Sequence, residues 1–210
     1  MIVETALIVA SVGAALAYLV HFRLQPPTRA RIAVKTVAAA ALALAALIGG
    51  AGVTLIVFFA LAAIADGLLA REDAAGFLGG LGVAVGSLLF LCLLLAQAWT
   101  GMEAPVAATL GLIGVWVGFF MLIWSSIMQY RPAVLVFAVA MMAATFLALG
   151  TETYGQLAVA GVLLYVLAQL VHALELFVLE DRPFERALTG PVIWSCYYAS
   201  LILIFAAFRW

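Results

Sequence analysis

Polar residues are so sparse along this chain that they divide it into blocks: long apolar runs, separated by short connections where Arg, Asp, Glu, Pro and Gly gather. A helix of about 20 apolar residues, rising about 1.5 Å per residue, crosses a hydrocarbon core of about 30 Å. Windows of that kind fall near 2–20, 32–50, 52–70, 75–97, 104–124, 132–150, 156–178 and 189–208, which predicts eight membrane-spanning helices. Helix punctuation agrees. Pro105, Pro132 and Pro191 sit where a first-turn proline belongs, Asp73 can cap the fourth helix, and Gly49-Gly50-Ala51-Gly52 reads as a tight turn. The fold class expected is all-α, a polytopic membrane helical bundle, with residues 1–210 as one integral membrane domain and no linker or low-complexity tail.

Composition sharpens the class. The chain is 69% hydrophobic and 9% charged, whereas a wetted surface needs roughly a quarter of its residues charged, so a soluble domain is excluded. The net charge of −1 gives no footing for nucleic acid. Cys92 and Cys196 lie inside apolar runs and read as small core residues, so neither a disulfide framework nor a metal or other cofactor is expected. The first apolar run begins with Glu4 instead of a cationic segment and stays apolar through Val20, so it reads as a membrane helix and not a secretion signal.

Charge then orients the bundle. Arg23, Arg29, Arg31, Lys35, Arg71, Arg131, Arg182 and Arg186 all fall on one side of an eight-span arrangement, and only Arg209 on the other. Basic residues stay cytoplasmic, which puts both termini outside; in a bacterial inner membrane, the location favoured by so compact and Ala-rich a chain, they are periplasmic. Gly76/Gly80, Gly82/Gly86 and Gly114/Gly118 have GxxxG spacing, read as helix contacts within the bundle, while Gly/Ala-rich faces also suit protein partners in the membrane. A weak repeat aligns Ala65-Asp66-Gly67-Leu68-Leu69-Ala70 with Ala168-Gln169-Leu170-Val171-His172-Ala173, four spans later, and Lys35 with Arg131. Two weakly similar four-helix halves would bring spans three and seven to face one cavity.

Within these runs the candidate chemistry centres on Asp66. A charged side chain inside a membrane helix costs several kcal/mol unless paired, hydrated or neutralised, so its presence points to function. Asp66 lies about 6 Å from the cytoplasmic end of span three at 1.5 Å per residue, and Lys35 lies at a comparable depth in span two. Lys35 can pair with Asp66 or snorkel to the headgroups. Gln169, His172 and Glu175 fan over about 120° of span seven, so they cannot all face lipid, and a polar pocket open to the cytoplasmic leaflet follows. Taken singly, His172 suits a hydrogen-bonded bundle residue and Glu175 can reach interfacial water. Glu4 and His21 end span one as interfacial residues. Trp99, Trp116, Trp124, Tyr130, Trp194 and Trp210 read as an interfacial belt, but Tyr197 and Tyr198 sit mid-span, where a phenol needs a partner, and one of them is expected to reach the pocket.

Five stretches carry a resemblance: Lys35-Thr36, Ala65-Asp66-Gly67-Leu68-Leu69, Phe77-Leu78-Gly79-Gly80-Leu81, Arg131, and Tyr197-Tyr198-Ala199. Together with eight spans they resemble the YhhN family, which includes the transmembrane protein 86 lysoplasmalogenases. The resemblance implies cleavage of a vinyl ether bond in a lysophospholipid to a fatty aldehyde and a glycerophospho head group. The enol ether is protonated at its β-carbon and water attacks the resulting oxocarbenium ion, work suited to a carboxyl pair. The family's enzymes meet this with one aspartate in each half; here the second position is Gln169, and an expected polar position in span four reads Gly86-Ser87. Asp66 is then the acid, with Gln169 and His172 positioning water, His172 or Glu175 as base, Lys35 or Arg131 near the phosphate, and Tyr197 or Tyr198 lining the pocket.

Two functions from different classes follow: a lysolipid hydrolase of this kind, or a catalytically lapsed relative that binds lipid or serves as accessory subunit of a membrane complex. A transporter would place its polar groups at the bilayer midplane, not near one surface. A haem protein would have to ligate iron through His21 and His172, whose places near span ends suit an interfacial role instead.

Overall fold

The computed structural model describes residues 2–23, 25–71, 73–101, 106–151, 155–179 and 183–209. Among them the apolar windows form eight helices: α1 Ile2–Ala17, α2 Arg29–Ile48, α3 Val53–Leu69, α4 Ala74–Gln97, α5 Val106–Ile123, α6 Arg131–Leu149, α7 Gly155–Phe177 and α8 Pro183–Phe208. A π-helical turn, Tyr18–Phe22, continues α1, and a 3₁₀ turn, Met128–Tyr130, leads into α6. The described residues contain no strand; one antiparallel bridge, Trp99 to Thr151, ties the ends of α4 and α6.

Six segments are long and apolar enough to cross a membrane. Large apolar side chains such as Val9, Leu47, Leu89, Met121 and Val139 point outward from the bundle, and a surface of that kind is stable only against lipid. The protein is an integral membrane protein. At 17 residues α3 is shorter, about 25 Å, and it is central: Leu55, Phe58 and Phe59 are fully buried, with Leu42 of α2, Leu88 and Leu91 of α4, and Leu201 and Ile204 of α8 in the same core. α3 packs on α2 and α4, and α7 packs on α8, as two similar halves require. The likeness ends at α5, which rests on α7, whereas α1 packs along α2.

The local punctuation mostly holds. Asp73 caps α4 by accepting the Gly76 N–H, and that bond, with the Arg71 guanidinium beside it, holds the Asp73 carboxyl below the usual carboxylate range. Gly50 takes the turn's left-handed position at φ +75°. Pro132 opens α6 as expected, while Pro105 lies outside the described residues. Pro191 does not open its helix: α8 starts at Pro183, so Pro191 falls inside it and leaves the Ala187 carbonyl without its helical donor. Neighbouring helices make this tolerable in a membrane bundle.

The glycine pairs divide. Cβ atoms at Gly76 and Gly80 would come within 2.6 Å of the Leu68 carbonyl oxygen and 2.7 Å of Leu69 Cγ, so this pair lets α4 lie against α3. Gly114 and Gly118 meet nothing within 4 Å, nor does Gly82, so the expected contacts within the bundle are not made there. The aromatic belt is also only partial. Trp116 and Trp194 are buried, and Trp99 stacks on Phe146, because each of these rings fills a gap between helices. Trp210 and Arg182 lie outside the described residues. At the end away from the other basic residues, Arg209 pairs with Glu4 at 3.7 Å.

One glycine positions the site. A Cβ on Gly67 would lie 2.7 Å from Thr36 Oγ1, so only glycine allows α2 and α3 their close approach beside Asp66. Gly67→Ala is expected to cost about 1–3 kcal/mol as a lowered unfolding midpoint in detergent, and Thr36→Ala in the same chain to restore most of it. An unchanged midpoint in Gly67→Ala would show that this approach does not hold the two helices.

Candidate functional site

Asp66 is 4% exposed and held from two sides. The Tyr197 hydroxyl of α8 donates to its Oδ2 at 2.8 Å, and the Lys35 ammonium of α2 stands 3.7 Å from Oδ1. The expected Lys35 pair with Asp66 therefore forms, in preference to snorkelling. The ammonium also sits 5.8 Å from the ring centroids of both Tyr18 and Trp194, which pack against each other at 4.4 Å. Trp194 is fixed in turn by donating its indole N–H to the Ala15 carbonyl at 2.9 Å. Two aromatic faces and a carboxylate hold one cation, where each ring face adds a favourable quadrupole term. Tyr18 opens the π-helical turn, a feature that gathers at functional sites.

A cavity of about 50 Å³ adjoins Asp66, with Ser87, Tyr165, Gln169, His172 and Tyr197 as its polar lining. That space has room for a few waters and none for a lipid head group. A second, open cleft of about 910 Å³ shares Leu69, Phe77 and His172 with it, so His172 stands where the two meet. Lys35 and Glu175 line the cleft, as do Arg23, Arg31 and Asp73. Asp66 and Gln169 thus reach one cavity from α3 and α7. Glu175 stays in the cleft, where its carboxylate accepts a hydrogen bond from Thr189.

Two sequence candidates are placed elsewhere. Arg131 donates through Nε and Nη2 to the Trp124 carbonyl, at 3.3 and 3.1 Å, with its guanidinium 4.4 Å over the Trp124 ring, and it lines neither space. Tyr198 faces α1: Ser11 commits its hydrogen to the Ala38 carbonyl, so the Tyr198 hydroxyl donates to Ser11 Oγ at 2.8 Å. Ser87 lines the cavity, but its hydroxyl donates to the Phe58 carbonyl at 2.9 Å and serves as a tie between α3 and α4.

Tyr165 is the cavity residue the sequence reading missed. It is buried, its ring 5.6 Å from that of Tyr197. Its signal was the spacing Tyr165, Gln169, His172, which puts three polar side chains on one face of α7. Among the described residues no three His, Cys, Asp or Glu side chains converge as a metal site requires. What the site can do is transfer a proton at Asp66, stabilise the resulting carboxylate with two donors already in place, and hold water beside it on Gln169 and His172.

A model of the YhhN family matches residues 30–208. No curated protein and no solved structure gives a significant match to the chain.

Proposed function

We propose, from the premise that this chain belongs to the YhhN family, that it hydrolyses the vinyl ether bond of a lysophospholipid. The observation that carries the reading is Asp66, buried and double-anchored on a cavity that holds a few waters and meets a cleft of about 910 Å³, large enough for a head group. Asp66 delivers a proton to the β-carbon of the enol ether, and its carboxylate is left with Tyr197 and Lys35 as donors. Water held by Gln169 and His172 attacks the oxocarbenium carbon. The hemiacetal then collapses to a fatty aldehyde and a glycerophospho alcohol, with His172 placed to take the water's proton.

Aldehyde release from a purified sample supplied with a 1-alkenyl lysophospholipid tests this, with the 1-acyl ester as comparison. Release from the alkenyl lipid alone is expected; no release by a folded sample would overturn the reading. The second reading, a lapsed relative that binds lipid or joins a membrane complex, is favoured by one observation. Gln169 lines the cavity where a second carboxyl group would serve, and Glu175 does not take its place.

The orientation belongs to the same proposal: a bacterial inner membrane, with both termini periplasmic and the cleft cytoplasmic. A reporter that fluoresces only in the cytoplasm, fused after Trp210, should stay dark. A bright fusion would reverse the topology.

A further inference from the structure

The cleft contains a cation that the Asp66 chemistry does not use. Arg23 follows the π-helical turn, its backbone N–H bonded to the Tyr18 carbonyl at 2.9 Å, and its side chain lies across α8. A Cβ on Gly190 would stand 2.3 Å from Arg23 Nη1, so the guanidinium tip lies against the bare face of Gly190 and would have to shift if a side chain were added there. Arg23 Nε is buried and has no hydrogen-bond partner, and no carboxylate pairs with this side chain among the described residues. A buried, unsatisfied donor on a charged group costs free energy that a bound acceptor would recover. In the same cleft, Arg31 is 8% exposed, with Nη1 donating to the Gln25 carbonyl at 3.0 Å. The guanidinium of Arg31 is thereby fixed in orientation, not swept through solvent.

Spacing says what these groups would hold. Arg31 stands one helical turn before Lys35 on α2, about 6 Å farther from the Asp66 level at 1.5 Å per residue. In a 1-alkenyl lysophospholipid five single bonds separate the ether oxygen from phosphorus, also about 6 Å when extended. With the enol ether at Asp66, the phosphate falls at the level of Arg31.

We propose that Arg23 and Arg31 form a subsite for the phosphate of a lysoglycerophospholipid, with the Arg23 guanidinium lying against the bare face of Gly190. The proposal rests on the lysophospholipid reading above and gives the phosphate to these two residues, not to Arg131. Guanidinium groups suit it because their forked donors match phosphate oxygens.

The test measures binding without cleavage. The probe is a 1-O-alkyl lysophospholipid, whose saturated ether cannot be hydrolysed this way, compared with the same 1-O-alkyl glycerol lacking phosphate and with chainless glycerol 3-phosphate. Wild type should bind the phosphate-bearing lipid at least about tenfold tighter than the alkyl glycerol. Arg23→Gln should remove most of that ratio. Gly190→Ala should reduce it too, with no change of charge, and Arg29→Gln, an exposed site outside the cleft, should preserve it. A ratio near one in wild type, or an unchanged ratio in Arg23→Gln, overturns the subsite. Glycerol 3-phosphate binding as tightly as the lipid would assign these cations to a soluble phosphate ester and overturn the lipid subsite. Aldehyde release separates the two readings: cleavage with unaltered KM in Arg23→Gln sinks the subsite alone, while the binding ratio without any cleavage sinks the hydrolase alone.

Discussion

Asp66→Asn is expected to lower aldehyde release by about 10²–10⁴-fold, the range lost when a positioned acid is removed. The substitution keeps shape and keeps an acceptor for the Tyr197 hydroxyl, so the α3 to α8 tie survives. Lys35 loses its counter-charge but retains two ring faces, and its side chain is 17% exposed and reaches the cleft, so the protein should still fold. The loss should therefore fall on kcat, with KM and the binding of a 1-O-alkyl lysophospholipid little changed. Release within a few-fold of wild type would move the proton donor elsewhere in the cavity, and His172 would be the next side chain to remove.

Lys35→Met should give the largest loss of stability at the site, about 2–3 kcal/mol as a lowered unfolding midpoint in detergent. Removing one partner of a buried pair strands the other; the full penalty of about 3–5 kcal/mol is moderated here by the 3.7 Å separation, by the partial exposure of Lys35 and by protonation of Asp66, the form in which it serves as acid. Met fills much of the same volume between Tyr18 and Trp194, so lost packing contributes little. The double variant Lys35→Met with Asp66→Asn should regain most of the loss, because an amide can be buried beside Tyr197 more cheaply than an unpaired carboxylate. If the double variant were no more stable than Lys35→Met, the two residues would not be coupled, and the cage around the ammonium would have to be explained by packing.

In the sequence, the eight helices and the pairing of Asp66 with Lys35 were legible for one reason: in a chain 69% hydrophobic, each polar residue within an apolar run stands out against a uniform background. The same uniformity hid the rest. Lipid-facing and core-facing positions are both apolar here, so periodicity does not tell Leu91, fully buried, from Leu93, 53% exposed. Trp194 read as an interfacial ring because span ends attract tryptophan, yet its indole N–H found the Ala15 carbonyl in another helix. Arg23 and Arg31 read only as markers of orientation, since nothing in their neighbourhood along the chain shows that α8 offers a bare glycine opposite Arg23. Arg131 and Tyr198 went the other way: their chemistry suited the pocket, but Trp124 and Ser11 were nearer. Family membership covers residues 30–208 and so leaves out all of α1, which nonetheless supplies Ala15 and, through its π-helical extension and the residue that caps it, Tyr18 and Arg23.

The interior proline of α8 has a mechanical meaning. Gly190, against Arg23, lies before Pro191; Trp194 and Tyr197, against Lys35 and Asp66, lie after it. With one backbone bond missing between these two stations, the first turns of α8 can flex more easily than an unbroken helix would. The wall of the wide cleft can thus yield to occupants of different bulk while the Tyr197 bond to Asp66 stays in place.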